Sequence, residues 1–185
     1  EGLRWLNALA EAGVGGVLAD DMGLGKTLQL ITHLLALKER GALNQPALVV
    51  VPTSLIPNWQ SEIARFAPAL KVLTLHGPQR ADAFAQLGAQ DIVLTSYALL
   101  PRDVVPLRKQ PFALTVLDEA QQVKNPRTQA RRALLSLRTR RHVCLTGTPL
   151  ENHLGELWSQ IDLSVPGLLG DESAFRRSYQ IGRAS

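Results

Sequence analysis

Two short stretches hold residues whose types and spacing suit work on a phosphoanhydride. The first runs V-L-A-D-D-M-G-L-G-K-T from Val17 to Thr27. Gly23 and Gly25 permit a tight turn between an apolar strand and an apolar helix, so N–H groups of the loop and of the first helical turn point into one concavity that suits an anion. Asp21, Met22, Gly23, Leu24 and Gly25 would line the phosphates, Lys26 would meet the β- and γ-phosphates, and the Thr27 hydroxyl would ligate Mg²⁺. In the pattern G-x-x-x-x-G-K-[ST] the first glycine falls at position 20, where this chain has Asp20. The second stretch, Asp118-Glu119-Ala120-Gln121, ends an apolar run. Asp118 at a strand end can hold Mg²⁺ through water, and Glu119 beside it can polarise an attacking water as general base. A bare glycine turn with a surface lysine, or a solvated turn after a strand, explains either stretch alone. Together they form a sufficient local set for nucleotide hydrolysis with a bound metal, because phosphoryl transfer needs mainly positioning and neutralisation of charge.

The elements that must position these residues are legible in the apolar spacing. Residues 2–12 read as a short helix, and the run from Thr27 to near Gly41 as a second, with Leu28, Ile31, Leu34 and Leu35 on one side. Residues 47–51 are continuously apolar, which predicts a strand in the middle of a parallel sheet rather than an alternating, half-exposed one. Ser54 is expected to cap a helix carrying Ile56, Trp59, Ile63 and Phe66. Strands are expected at 72–75, 92–95, 112–117 and 142–145, and helices at 81–87 and 127–137. From Leu154 onward the pattern is helical apart from a Pro-Gly turn. Alternating strands and helices with short connections predict an α/β fold, a doubly wound, mostly parallel sheet whose ligands gather at the carboxyl ends of the strands.

Composition bounds the reading. With 185 residues, 45% hydrophobic, the chain can bury one core of a single domain, and 19% charged residues is not a disordered composition. The formal net charge of +4 is compatible with a polyanionic partner but decides little. The one cysteine, Cys144, sits in an apolar run and reads as a buried small side chain, and no disulfide can form within the chain. His33, His76, His142 and His153 have no metal-ligand spacing, so no zinc site is expected. No apolar run reaches membrane-span length and the N-terminus lacks a signal pattern. The expectation is a soluble, intracellular protein.

Further polar groups fall at expected strand ends. Thr146, Gly147 and Thr148 would lie beside the two carboxylates and could report the state of the γ-phosphate. Pro52, Thr53, Gly77, Thr95 and Ser96 would offer small polar groups and N–H groups to a sugar-phosphate backbone. Lys124, Arg127, Arg131, Arg132, Arg138, Arg140 and Arg141 form a basic stretch that is either a solvated helix face or a nucleic-acid contact.

In this order these residues resemble the Swi/Snf family of helicase-like ATPases, of bacterial type, and specifically the first of its two RecA-like lobes. D-D-M-G-L-G-K-T is similar to the family's motif I, where an acidic residue replaces the first glycine. V-V-V-P-T-S-L-I-P-N-W resembles motif Ia, D-I-V-L-T-S-Y the DNA-contacting strand end near motif Ib, L-D-E-A-Q-Q-V-K-N-P motif II, and L-T-G-T-P-L-E-N motif III. The resemblance implies a RecA-like P-loop lobe over residues 1–153 and a helical extension over 154–185. It implies ATP and Mg²⁺ as ligands, Lys26, Asp118, Glu119 and Gln121 as catalytic residues, and Gln121 coupling nucleotide state to motif III. By the same resemblance the parent is a double-stranded-DNA translocase that remodels protein–DNA complexes, cytoplasmic and nucleoid-associated in a bacterium. A glutamine that reads adenine and a second lobe with arginine fingers would lie outside these residues, leaving this lobe nearly inactive alone. Two other readings share much of the pattern: a lobe of an RNA helicase, and a nucleotide-sensing binding module.

Overall fold

The computed structural model describes residues 2–19, 25–147 and 154–180, without the side chain of Gln180. In chain order the elements are α1 (Gly2–Ala12), β1 (Gly16–Ala19), α2 (Lys26–Glu39), β2 (Ala47–Val51), α3 (Ile56–Phe66), β3 (Val72–Thr74) and β4 (Ile92–Ser96). There follow α4 (Val104–Leu107), β5 (Pro111–Phe112), β6 (Leu114–Leu117), α5 (Gln129–Leu135), β7 (Arg138–Thr139), β8 (His142–Thr146), α6 (Leu154–Ser164) and α7 (Glu172–Gln180). Six strands form one sheet in the order β1-β8-β6-β2-β4-β3, every neighbouring pair parallel. The expected α/β sheet is therefore present.

The continuous apolar run at β2 explains its central place. Its five residues are fully buried because helices cover both faces of the sheet. Ala47, Val49 and Val51 pack with α2 and α3, while Leu48 and Val50 join Tyr97, Leu107, Phe112 and Leu134 on the other face. Each fully buried Val or Leu contributes about 1.5–3 kcal/mol relative to an exposed one, so the strands that carry the site are held by burial on two sides.

Four local expectations need correction. Ser54 caps nothing, because the chain enters α3 through a 3₁₀ turn, Thr53–Leu55, in which Leu55 N–H donates to the Pro52 carbonyl, and Leu55 takes the cap position without a side-chain bond. Residues 81–87 lie within a longer 3₁₀ segment, Pro78–Ala89, rather than an α-helix. Phe84 and Leu87 are three apart, which suits three residues per turn. The run 112–117 is two strands. Phe112 pairs with Thr139 in a separate two-stranded sheet, whereas Leu114 pairs with Ala47 in the main one, and Ala113 is where the chain changes partner. The helix expected at 127–137 is shorter, because Thr128 caps α5 by accepting from the Arg131 N–H at 3.2 Å. The expected helical tail is present as α6 and α7, with α6 packed against β1 and β8.

Candidate nucleotide site

The carboxyl ends of β1, β8 and β6 bring the chemistry together. Ala19, the last residue of β1, is in register with Thr146, the last of β8, and Leu117 of β6 is in register with Cys144. Lys26 and Thr27 open α2, and both are half-buried. Gly25 caps this helix with φ 74°, a left-handed conformation that costs a glycine little. Among the described residues no side chain caps the N-terminus of α2, and no acidic residue lies in its first turn, so the N–H groups and positive dipole end there suit an anion. Asp20, Asp21, Met22, Gly23, Leu24 and Thr148 lie outside the described residues.

Asp118 follows β6 directly and its N–H donates to the Val50 carbonyl at 3.0 Å, which continues the sheet one step beyond the strand. The residue is 7% exposed. Its Oδ2 accepts from the Trp59 indole N–H at 2.8 Å and its Oδ1 from the Glu119 N–H at 2.9 Å. Burial pushes its carboxyl above the usual range and the neighbouring Glu119 charge pushes the same way, against the Trp59 and Glu119 N–H donors and the nearby Lys26 ammonium. Glu119 has φ 50°, the one positive value on a non-glycine residue among those described. Such left-handed backbone costs about 1–2 kcal/mol and tends to be kept where function requires it. The Gln121 amide Nε2 donates to Glu119 Oε2, and the Thr146 hydroxyl lies 3.4 Å from Gln121 Oε1. Lys26, Asp118, Glu119, Gln121 and Thr146 are thus one connected neighbourhood, with Gly147 next in chain.

The donor set fits Mg²⁺. Among the described residues each Asp118 oxygen accepts one hydrogen bond, and with the Thr27 hydroxyl it would supply hard oxygen ligands, which this ion takes one or two at a time alongside substrate phosphates.

The groups expected to touch a sugar-phosphate backbone lie along the other half of the same edge, after β2, β3 and β4, and they are not equally available. Thr53 is exposed and Pro52 half-buried. Gly77, with φ 78° and ψ 178°, holds a conformation restricted to glycine, and its carbonyl accepts from Arg80. Thr95 and Ser96, by contrast, lie inside β4 at 0% and 1% exposure, so their side chains are buried rather than offered at the strand end as expected. The basic stretch is also not one face. Arg131 is 4% exposed and donates to the Val123 and Ser159 carbonyls and to the Ser159 hydroxyl, while Lys124 pairs with Glu156 of α6. Arg127, Arg132, Arg138 and Arg140 are exposed, and Arg141 is half-buried beside His33.

Sequence reasoning assigned no site role to Trp59 or Tyr97. Helical spacing marks Trp59 as buried, but nothing in the spacing says where its N–H points. The Tyr97 hydroxyl donates to the Asp118 carbonyl at 2.7 Å. The only available signal was chemical: a buried indole or phenol needs an acceptor.

A parallel sheet covered on both faces, with a glycine-capped helix start after β1 and an Asp-Glu pair at the end of β6, one strand away across β8, defines a RecA-like P-loop lobe. The SNF2-related domain family matches residues 1–184, and the chain belongs to that family. It is 44% identical over 181 residues to the "Putative ATP-dependent helicase/translocase YwqA" of Bacillus subtilis, covering 96% of this chain and 20% of that protein. It is 39% identical to "Helicase ssl-1" of Caenorhabditis elegans, covering 95% of this chain and 8% of that protein. The solved "Sulfolobus solfataricus SWI2/SNF2 ATPase core in complex with dsDNA" superposes with a TM-score of 0.87 at 39% identity, over 97% of this chain and 37% of that one. The chain thus spans about a fifth of the length of the Bacillus relative. These matches favour the Swi/Snf reading over an RNA-helicase lobe. Among the described residues, no helix is long and apolar enough to cross a membrane.

Proposed function

We propose that residues 1–153 form the ATP-binding lobe of a DNA-stimulated ATPase that translocates on duplex DNA and remodels protein–DNA complexes, with 154–185 as a helical extension toward a second RecA-like lobe. The observation that carries this reading is the convergence of Lys26, Asp118 and the Glu119–Gln121 pair at the ends of β1, β6 and β8. The loop 21–25 and the first turn of α2 hold the phosphates, and Lys26 neutralises their β- and γ-oxygens. Mg²⁺, when bound, adds charge neutralisation at those oxygens. Thr27 and Asp118 would hold the ion. Glu119 takes a proton from the attacking water, and Gln121 fixes the Glu119 carboxylate while its carbonyl end faces Thr146. Thr146, Gly147 and Thr148 then report the γ-phosphate to the rest of the lobe. Pro52, Thr53 and Gly77 contact the DNA backbone, with N–H groups in place of the buried Thr95 and Ser96 hydroxyls. A nucleoid location follows from duplex DNA as partner. Calorimetry of ATP with Mg²⁺ tests the site: binding should be lost in Lys26→Ala, and unchanged affinity in that variant would overturn the assignment.

A further inference from the structure

Asp118 sits where the two halves of the sheet edge meet. Its strand neighbour on one side is β8, which leads to Thr146, and on the other β2, which leads to Pro52 and Thr53. Two aromatic side chains hold it, one from each face of the sheet. Trp59 belongs to α3 and to the core cluster shared with α2, is 0% exposed, and donates its indole N–H to Oδ2 at 2.8 Å. Tyr97 follows β4, belongs to the opposite core cluster, and donates its hydroxyl to the main-chain carbonyl at 2.7 Å. The first bond fixes the carboxylate rotamer. The second fixes the peptide unit between Asp118 and Glu119, where the backbone turns left-handed.

The geometry points to Trp59 and Tyr97 as positioning residues for the nucleotide site, Trp59 aiming the Asp118 carboxylate at the metal and Tyr97 holding the turn that presents Glu119. The inference rests on the nucleotide-site reading above. Packing alone does not account for the pair. A buried indole or phenol is satisfied by any acceptor, and here both choose one residue, from opposite faces, with a side-chain and a main-chain oxygen. Partners that orient a metal-ligating carboxylate carry weight: their loss typically costs about 10–100-fold in metal affinity. The two bonds also separate in effect, because one reaches the carboxylate that would hold the metal and the other only the main chain that leads into Glu119.

The test is a Mg²⁺ titration of nucleotide binding, with a non-hydrolysable ATP analogue as probe, on the wild-type protein, Trp59→Phe and Tyr97→Phe. Trp59→Phe should raise the Mg²⁺ concentration at half-effect by about 10–100-fold and leave binding of the analogue in excess chelator unchanged. Tyr97→Phe should leave the Mg²⁺ half-point in place and, with ATP as substrate in the protein carrying both lobes, lower kcat at saturating Mg²⁺ without raising KM. A folded Trp59→Phe with the wild-type half-point, or a Tyr97→Phe with wild-type kcat, would overturn the respective role. If Trp59→Phe does not fold, the ¹⁵N-indole spectrum of the protein decides. Of the three tryptophan resonances, that of Trp59 should move in Asp118→Ala while those of Trp5 and Trp158 stay, and an unmoved Trp59 signal would refute the contact in solution. Absence of any Mg²⁺-dependent binding by the wild type would instead sink the nucleotide-site reading, and the indole spectrum would still report on Trp59.

Discussion

The side-chain amide of Gln121 donates to Oε2 of Glu119, so the residue proposed as base is held by a neutral partner two positions along the chain. The other end of the same amide faces the Thr146 hydroxyl at 3.4 Å, and this places one swivelling group between motif II and motif III. An amide in that position can restrain a carboxylate without neutralising it.

Replacing Gln121 by Ala should lower kcat by about 10-fold or more while nucleotide affinity stays within error. Glu119→Gln should remove the whole contribution of the base, about 10²–10⁴-fold. The comparison is made by steady-state kinetics of the protein carrying both lobes alongside calorimetry of ATP binding. Equal kcat in the wild type and Gln121→Ala would show that the amide does not serve the base.

Arg131 offers a test of stability. It is a buried cation whose guanidinium donates to Val123 and Ser159 and lies 3.9 Å from Asp162, tying the turn after Glu119 to α6. Arg131→Ala leaves those acceptors without their donor and should cost about 2–4 kcal/mol, read by urea unfolding. Arg132→Ala, on the exposed side of the same helix, should change little. Equal effects of the two would contradict the buried role of Arg131.

Acid should weaken the fold through two histidines. Burial holds His33 down to about 4, aided by the Arg141 and Arg40 charges, and burial with the Arg131 charge holds His142 at about 4. His33 Nδ1 donates to Asn7 Oδ1, and Nε2 faces Arg141, so a second ring proton would meet a cation. With folded values below 6.5, the unfolded chain takes up the protons first. Stability is therefore full above about 6.5 and falls progressively as the pH drops toward 4. Each unit of depression is worth about 1.4 kcal/mol. The raised Asp118 carboxyl acts in the opposite direction, as one group against two. Melting temperature against pH should fall less steeply in His33→Gln than in the wild type, and identical slopes would exclude His33 as a source.

Much of this molecule could be read before its structure. The continuous run 47–51 is the central strand because only a sheet covered on both faces buries five successive side chains. Lys26 and Asp118 fall at strand and helix ends as their apolar neighbours require. What escaped was direction and depth. Thr95 and Ser96 read as polar strand-end groups, yet β4 runs through them and pairs them with Val50 and Val51, which leaves both buried. Arg131 read as an outer position because a charge is expected in water, whereas the carbonyls and hydroxyl that receive it come from residues 123 and 159, far apart in sequence. Trp59 gave no sign of its acceptor for the same reason, since Asp118 lies 59 positions away.

Residues 1–185 by themselves should bind ATP weakly and hydrolyse it hardly at all. An arginine finger contributes about 10³–10⁵ in rate, and the basic residues near this site are otherwise engaged, Arg131 in the core and Lys124 with Glu156. Binding of duplex DNA by this lobe should be weak and fall steeply with salt. A gel-shift series at rising salt and a turnover assay measure both. Rapid turnover by residues 1–185 would show that no second lobe is needed.

The central claim is that Asp118 and Glu119 hydrolyse ATP in response to duplex DNA. It is tested most directly by steady-state ATP hydrolysis in the protein carrying both lobes, wild type and Glu119→Gln, each with and without duplex DNA. Duplex DNA should raise wild-type turnover, and Glu119→Gln should bind ATP yet turn over at background with or without DNA. Turnover in the wild type that ignores DNA, or DNA-stimulated turnover that survives Glu119→Gln, would contradict it.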